Sequence, residues 1–306
     1  MPTNQKAKID LSQLTTESRN PESSRLDEMS ALEIATLMNR EDQKVPLAIQ
    51  PILGDIALVI ERVAAAFQNG GRLFYIGAGT SGRLAVLDAA ECPPTFGVSP
   101  DLVVALIAGG EKAFVQAVEG AEDSLELAAR DLRAKNLTAN DVVIGLAASG
   151  RTPYVLGGLN YAKSLGAFTA AIACNRNSEI GRVADLALEI IVGPEVLSGS
   201  SRLKAGTAQK LVLNMISTGA MVLCGKCYQN LMVDVVQSNE KLKVRAENIV
   251  MEVCGESRER ARAAIDAADG ELKTAIVSLM LGSTPAVARA RLAEHGGHVR
   301  KASQDK

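Results

Sequence analysis

Five short apolar runs, at residues 73–76, 103–107, 142–146, 168–172 and 188–192, dominate the middle of the sequence. Each is too short for a helix and is bounded by Gly, Asp or Asn. None alternates with polar residues, which is the pattern of strands buried on both faces. Helical segments separate the runs. Together they predict an α/β fold with a doubly wound, five-stranded parallel sheet, whose ligand sites lie outside the carboxyl ends of the strands.

The flanks read as helices. Leu32, Ile34, Ala35, Leu37 and Met38 form a helical stripe behind Ser30 as N-cap, broken over residues 42–46, and a second helix is expected over 51–67. A long helix should cover 202–224. From Asn248 onward Ala, Arg and Glu take over, with helices expected at 246–254, 257–268, 272–281 and 284–295. The expected organisation is a polar arm over 1–29, a main domain over 30–245 and a small helical domain over 246–306.

Composition excludes several function classes. Aromatic residues make up 3% of the 306 residues, Trp is absent and the net charge is −2, so neither base stacking nor a basic stripe is available and no nucleic-acid partner is expected. No apolar stretch is long enough to span a bilayer, and the polar N-terminus lacks a signal-peptide core, so no membrane partner and a cytoplasmic location are expected. The five cysteines read as free thiols.

The turns after the strands carry the chemistry. Gly77-Ala78-Gly79-Thr80-Ser81-Gly82-Arg83 follows the first run and opens a helix. Its glycines permit a tight turn, and the first N–H groups of the helix, with the Thr80 and Ser81 hydroxyls and the Gly82 backbone, suit an anion. The same glycines satisfy a dinucleotide pattern, but the second run ends in Ala108-Gly109-Gly110 with Glu111 beyond the place of the required acid. Ala147-Ala148-Ser149-Gly150-Arg151-Thr152-Pro153 repeats the arrangement after the third run, offering Ser149, Gly150 and Thr152, with Thr152 as N-cap. Two such turns suit one phosphate monoester gripped from both sides. Ser200 and Ser201 occupy N-cap positions of the long helix; Lys204 and Arg202 either assist the phosphate or are solvated charges. Cys224 and Cys227 have redox spacing but sit at a helix end, where an incidental pair is the better reading. His295 and His298 lack further ligands and read as a turn, so no metal site is expected.

These motifs, with Glu91-Cys92-Pro93-Pro94, Val118-Glu119-Gly120-Ala121-Glu122-Asp123 and Gly199-Ser200-Ser201-Arg202-Leu203-Lys204, resemble the N-acetylmuramic acid 6-phosphate etherase family from about residue 17 to the end. The resemblance implies a sugar isomerase (SIS) fold related to the glucokinase regulatory protein, a phosphosugar substrate, and a ubiquitin-associated-type helical tail. It also implies a lyase without metal or cofactor that removes D-lactate from N-acetylmuramic acid 6-phosphate in cell-wall sugar recycling. The family's catalytic pair falls on Glu91 and Glu122. A non-catalytic sugar-phosphate sensor and an aldose–ketose isomerase are the alternatives.

Elimination needs one carboxyl as acid and one as base. The sequence puts Glu91 at the end of a helix begun at Arg83, where the dipole disfavours charge, and Glu122 at a helix start, where charge is favoured. A regular helix to Glu91 spans about 12 Å from the phosphate turn. A site completed across a homodimer is therefore expected.

Overall fold

The computed structural model describes residues 14–116, 118–237 and 239–304; residues 1–13 of the expected arm lie outside them. The chain runs α1 (Ala31–Asp42), α2 (Lys44–Ile49), α3 (Leu53–Gln68), β1 (Leu73–Gly77), α4 (Gly79–Phe96), β2 (Val103–Ile107), α5 (Lys112–Val115), α6 (Leu127–Ala134), β3 (Val142–Leu146), α7 (Pro153–Ser164), β4 (Phe168–Ala173), α8 (Glu179–Val183), β5 (Leu186–Glu189) and α9 (Lys204–Leu223). A short hairpin follows, β6 (Cys227–Tyr228) with β7 (Leu231–Met232), then α10 (Glu240–Cys254), α11 (Arg258–Ala267), α12 (Leu272–Leu281), α13 (Pro285–Glu294) and α14 (Val299–Gln304).

The main sheet has the order β2-β1-β3-β4-β5, with β3, β4 and β5 paired parallel from Val142↔Phe168 and Ala170↔Leu186. The α/β, parallel, five-stranded fold expected from the apolar runs is the one that forms. Every residue of β1 and β3 is buried. The edge strands β2 and β5 are buried at only some positions, because one side of each has no neighbouring strand. β5 begins and ends earlier than its apolar run. Its pairing with β4 stops at Ala173↔Glu189, and Ile190 and Val192 are buried beyond the ladder.

Proline is tolerated in two helices. The expected break over 42–46 falls where α1 ends at Asp42 and α2 begins at Lys44, with Gln43 between them; Pro46 itself stands in the first turn of α2, where a backbone N–H has no intrahelical partner anyway. Pro93 and Pro94 lie inside α4, which continues to Phe96. Elsewhere local signals hold: Ser30 and Glu33 form a reciprocal capping box at α1.

The chain packs as two compact units. Among the described residues, the first joins those up to 59, 74–86 and 105–213; the second joins 60–73, 87–104 and those from 214 onward. In the second, the tail helices close over Ile249, Val250, Ile265, Leu272, Ile276, Leu292 and Val299. The Lys273 ammonium ties that core to Asp234 at 2.5 Å and to the carbonyls of Gly225 and Gly297. Helix α14 extends the tail past residue 295, where the sequence pattern ends.

Two glycines separate turn chemistry from mere helix content. Gly150 has φ +75°, and a Cβ there would lie 2.4 Å from the Ser178 Cβ; at Gly54, in α3, a Cβ meets nothing within 4 Å. Gly150→Ala should lose about 1–3 kcal/mol in urea unfolding, whereas Gly54→Ala should gain about 0.5–1 kcal/mol. Equal effects would contradict this reading.

Candidate active site

The turn from β1 to α4 is built by close approach. A Cβ on Gly77 would stand 2.9 Å from the Gly82 nitrogen; one on Gly82 would stand 2.8 Å from the Gly77 oxygen and 2.6 Å from Ile107 Cγ1. Gly79 turns the chain at φ +52°. With no side chains between them, the first turn of α4 sits on the end of β1 and its free N–H groups face the space beyond the strand. Thr80 is half-buried and Ser81 buried. Ser81 Oγ donates to Gln209 Oε1 of α9 at 2.9 Å, which fixes the turn against that helix.

The turn from β3 to α7 adjoins it, because β3 is the neighbour of β1. Here the strand order reverses, with β2 on one side and β3 on the other, and open α/β sheets bind ligands at this kind of switch point. Gly150 takes the left-handed conformation and its N–H donates to the Ala147 carbonyl at 2.9 Å. Ser149 Oγ accepts from Arg151 N at 3.3 Å. Thr152 is the N-cap residue of α7, but its hydroxyl does not cap the helix. It donates instead to Glu122 Oε1 at 3.2 Å, while the Glu122 carbonyl accepts from Tyr154 N at 3.0 Å. The structure thus brings Glu122 to the second turn. It does so from a loop upstream of α6, not from the helix start expected, since α6 begins only at Leu127.

The third stretch is organised differently from the sequence expectation. Ser200 and Ser201 precede α9 by several residues and do not cap it. The buried Glu195 carboxylate does, accepting from Lys204 N and Ala205 N at 2.9 Å each. Burial pushes the Glu195 carboxyl up, opposed by those two amides. The Lys204 ammonium, only 1% exposed, lies 2.6 Å from Glu41 Oε2. Burial alone would raise the Glu41 carboxyl, but hydrogen bonds and charge from Lys204 and Lys44 outweigh it and hold Glu41 below its ordinary value. Lys204, expected to assist a phosphate, is committed to this pair. Sequence spacing held no signal for Glu195, Gln209 or Glu41, because each acts through a distant partner.

Glu91 lies in the body of α4, five residues before its end, so the helix-end setting expected for it does not exist. Asp88, Cys92 and Phe96 form the buried stripe of this segment, while Leu87, Ala90, Glu91 and Pro94 form the exposed one. Asp88 Oδ1 accepts from Asn214 Nδ2 at 2.9 Å and Ser217 Oγ at 3.0 Å, anchoring the buried face. Burial, helped by Asp88 and Glu91, pushes the Cys92 thiol up to about 12, so it is no nucleophile at neutral pH.

His295 and His298 flank the turn between α13 and α14. Among the described residues no group of three His, Cys, Asp or Glu side chains is placed to hold a metal ion, and no helix is long and apolar enough to cross a membrane.

These features define a phosphosugar-binding protein of the SIS class. The sequence matches the N-terminal SIS domain of the glucokinase regulatory protein over residues 55–163 and the SIS domain over 121–219. A phosphoheptose isomerase structure from Francisella tularensis aligns over 63% of this chain and 98% of its own, with TM-score 0.48 and 16% identity. An N-acetylmuramic acid 6-phosphate etherase from an Exiguobacterium species is 59% identical over 292 residues, covering 95% of this chain and 99% of that relative. N-acetylmuramic acid 6-phosphate etherase 2 of Vibrio parahaemolyticus is 56% identical over 295 residues, covering 96% of this chain and 98% of its own. The chain belongs to the N-acetylmuramic acid 6-phosphate etherase family.

Removing one member of a buried ion pair strands the other. Lys204→Met should cost about 3–5 kcal/mol in denaturant unfolding, and adding Glu41→Leu should recover most of it. Because the Glu41 carboxyl is held low, its contribution is full above the ordinary carboxylate range and is lost as pH falls through its folded value. Glu41→Gln should remove that part of the acid limb of the stability curve.

Proposed function

We propose that this chain is a carbon–oxygen lyase that cleaves the lactyl ether of N-acetylmuramic acid 6-phosphate, giving N-acetylglucosamine 6-phosphate and D-lactate in cytoplasmic cell-wall sugar recycling. One observation carries the reading: the two glycine- and hydroxyl-bearing turns follow neighbouring strands at the switch point of the sheet. The phosphate is held there by amides of α4 and by the two turns that carry Thr80, Ser81, Gly82, Ser149, Gly150 and Thr152, with the Ser81 and Thr152 hydroxyls bracing the turns through Gln209 and Glu122. Ser200 and Ser201, half-buried upstream of α9, are candidates for contacts to the sugar.

With the sugar ring open, the C1 aldehyde acidifies the C2 proton and accepts electron density, so no cofactor is needed. Glu122, oriented by the Thr152 hydroxyl, takes the C2 proton. The C2–C3 double bond forms as the C3–O bond breaks, and Glu91 supplies the proton that leaves with the lactate oxygen. Water then adds across the double bond, its hydroxyl at C3 and a proton at C2.

Glu91 stands twelve residues along α4 from Gly79, a rise of about 18 Å in a regular helix. That is longer than the sequence estimate and a poor match to a hexose phosphate anchored at the helix start. The exposed stripe of Leu87, Ala90 and Pro94 around Glu91 supports a homodimer in which each site takes Glu91 from the second copy.

Incubation with N-acetylmuramic acid 6-phosphate and assay of lactate tests the reaction. Lactate distinguishes it from isomerisation or simple binding. Glu122→Gln and Glu91→Gln should each lower turnover about 10²- to 10⁴-fold. Lactate release at wild-type rates in both variants would end the assignment. Mixed in equal amounts after subunit exchange, the two inactive variants should regain about a quarter of wild-type activity, since half the dimers then hold one intact site. No recovery means that the site is not shared.

A further inference from the structure

The segment before α1 reaches the second phosphate turn through one buried side chain, Asn175, which is 2% exposed. Its Oδ1 accepts from Thr15 Oγ1 at 2.8 Å and from Thr16 N at 3.4 Å. Its Nδ2 donates to the Ala148 carbonyl at 3.0 Å, to the Ser149 carbonyl at 3.4 Å and to Thr16 Oγ1 at 3.1 Å. A backbone N–H bonded to one amide atom and backbone carbonyls bonded to the other fix which way the amide faces. The same segment continues along the third stretch: Asn20 Nδ2 donates to the Pro194 carbonyl at 3.4 Å.

The consequence for the turn follows from peptide geometry. The Ala148 carbonyl also accepts from Cys174 N at 3.0 Å, so it is held toward the end of β4 by two donors. In a trans peptide the N–H points opposite to the C=O. The Ser149 N–H therefore points away from Asn175, on the side of the turn where an anion is received.

We infer that Asn175, held by Thr15 and Thr16, is a positioning residue that presents the Ser149 amide to the phosphate of the substrate. The inference rests on residues 147–152 being a phosphate turn, as the proposed function has it. It assigns a binding role to the polar segment ahead of the first helix. Thr15 and Thr16 never touch the substrate; they set the orientation of Asn175, which sets the turn.

Asn175→Asp keeps the shape and the two hydrogen bonds that Oδ1 accepts from Thr15 and Thr16, but removes the donor to Thr16 Oγ1 and sets a carboxylate oxygen against the Ala148 and Ser149 carbonyls. Calorimetry with inorganic phosphate, and KM and kcat for N-acetylmuramic acid 6-phosphate, read the effect. Asn175→Asp should weaken phosphate binding and raise KM about tenfold or more, the scale of one lost charge-assisted hydrogen bond, while kcat changes less than about twofold. Thr15→Val should give about a three- to tenfold loss, Thr15→Ser should restore the wild-type value, and Thr15→Val should add little in the Asn175→Asp background. Unchanged phosphate affinity and KM in Thr15→Val and Asn175→Asp would overturn the inference. So would losses that multiply in the double variant, or a fall in thermal stability alone. If Asn175→Asp does not fold, the Thr15→Val and Thr15→Ser pair decides. Phosphate binding that follows this pattern in a protein releasing no lactate would retain the inference and remove the etherase reading.

Discussion

Helix α4 starts against the end of β1 with no room for a side chain at Gly77 or Gly82. That contact decides the rest of the site. It places the first turn of an eighteen-residue helix at the carboxyl edge of the sheet, and it does so beside β3, whose own turn is equally tight at Gly150. A Cβ at Gly77 or Gly82 would push α4 off the strand, and one at Gly150 would collide with Ser178. Tight turns and a reversal of strand order are therefore one constraint, met by glycine twice.

Which parts of this were legible depended on how local the determining interactions are. The buried strands were readable because β1 and β3 are covered on both faces and every residue had to be apolar. The end of β5 was not, because it is set by pairing with β4 rather than by hydrophobicity. The glycine turns were readable from spacing alone. Glu195 as the cap of α9, and Glu41 as the partner of Lys204 across 163 positions, left no trace in any local pattern. A serine pair just before a helix looked like a cap, but a buried carboxylate nine residues upstream does the same work with full charge.

The charge arrangement bears on the anion site proposed for the first unit. Lys204 is paired with Glu41 and Arg151 with Glu179, while Arg83 Nε donates to the Phe114 carbonyl. The N-terminus of α9 is already occupied by Glu195. The proposed phosphate site therefore draws on the dipole ends of α4 and α7 and on the amides of the two turns. Donors of this kind need their direction fixed by the surrounding chain, because a backbone amide cannot reorient as a lysine can. In the proposed site the hydrogen bonds from Ser81 to Gln209 and from Asn175 to the Ala148 carbonyl would meet that need, one for each turn.

The unbroken course of α4 past two prolines has a tertiary cause. Pro93 and Pro94 have no N–H to give the carbonyls of Ala89 and Ala90, and prolines so placed ordinarily stop or bend a helix. Here Asp88 is tied to Asn214 and Ser217 and Cys92 and Phe96 are buried, so tertiary contacts along one face hold the helix where two backbone hydrogen bonds are missing, while the opposite face is exposed. Glu91 is on that opposite face. If, as proposed, a second copy covers the Leu87–Pro94 stripe, assembly and the acid role proposed for Glu91 depend on the same surface.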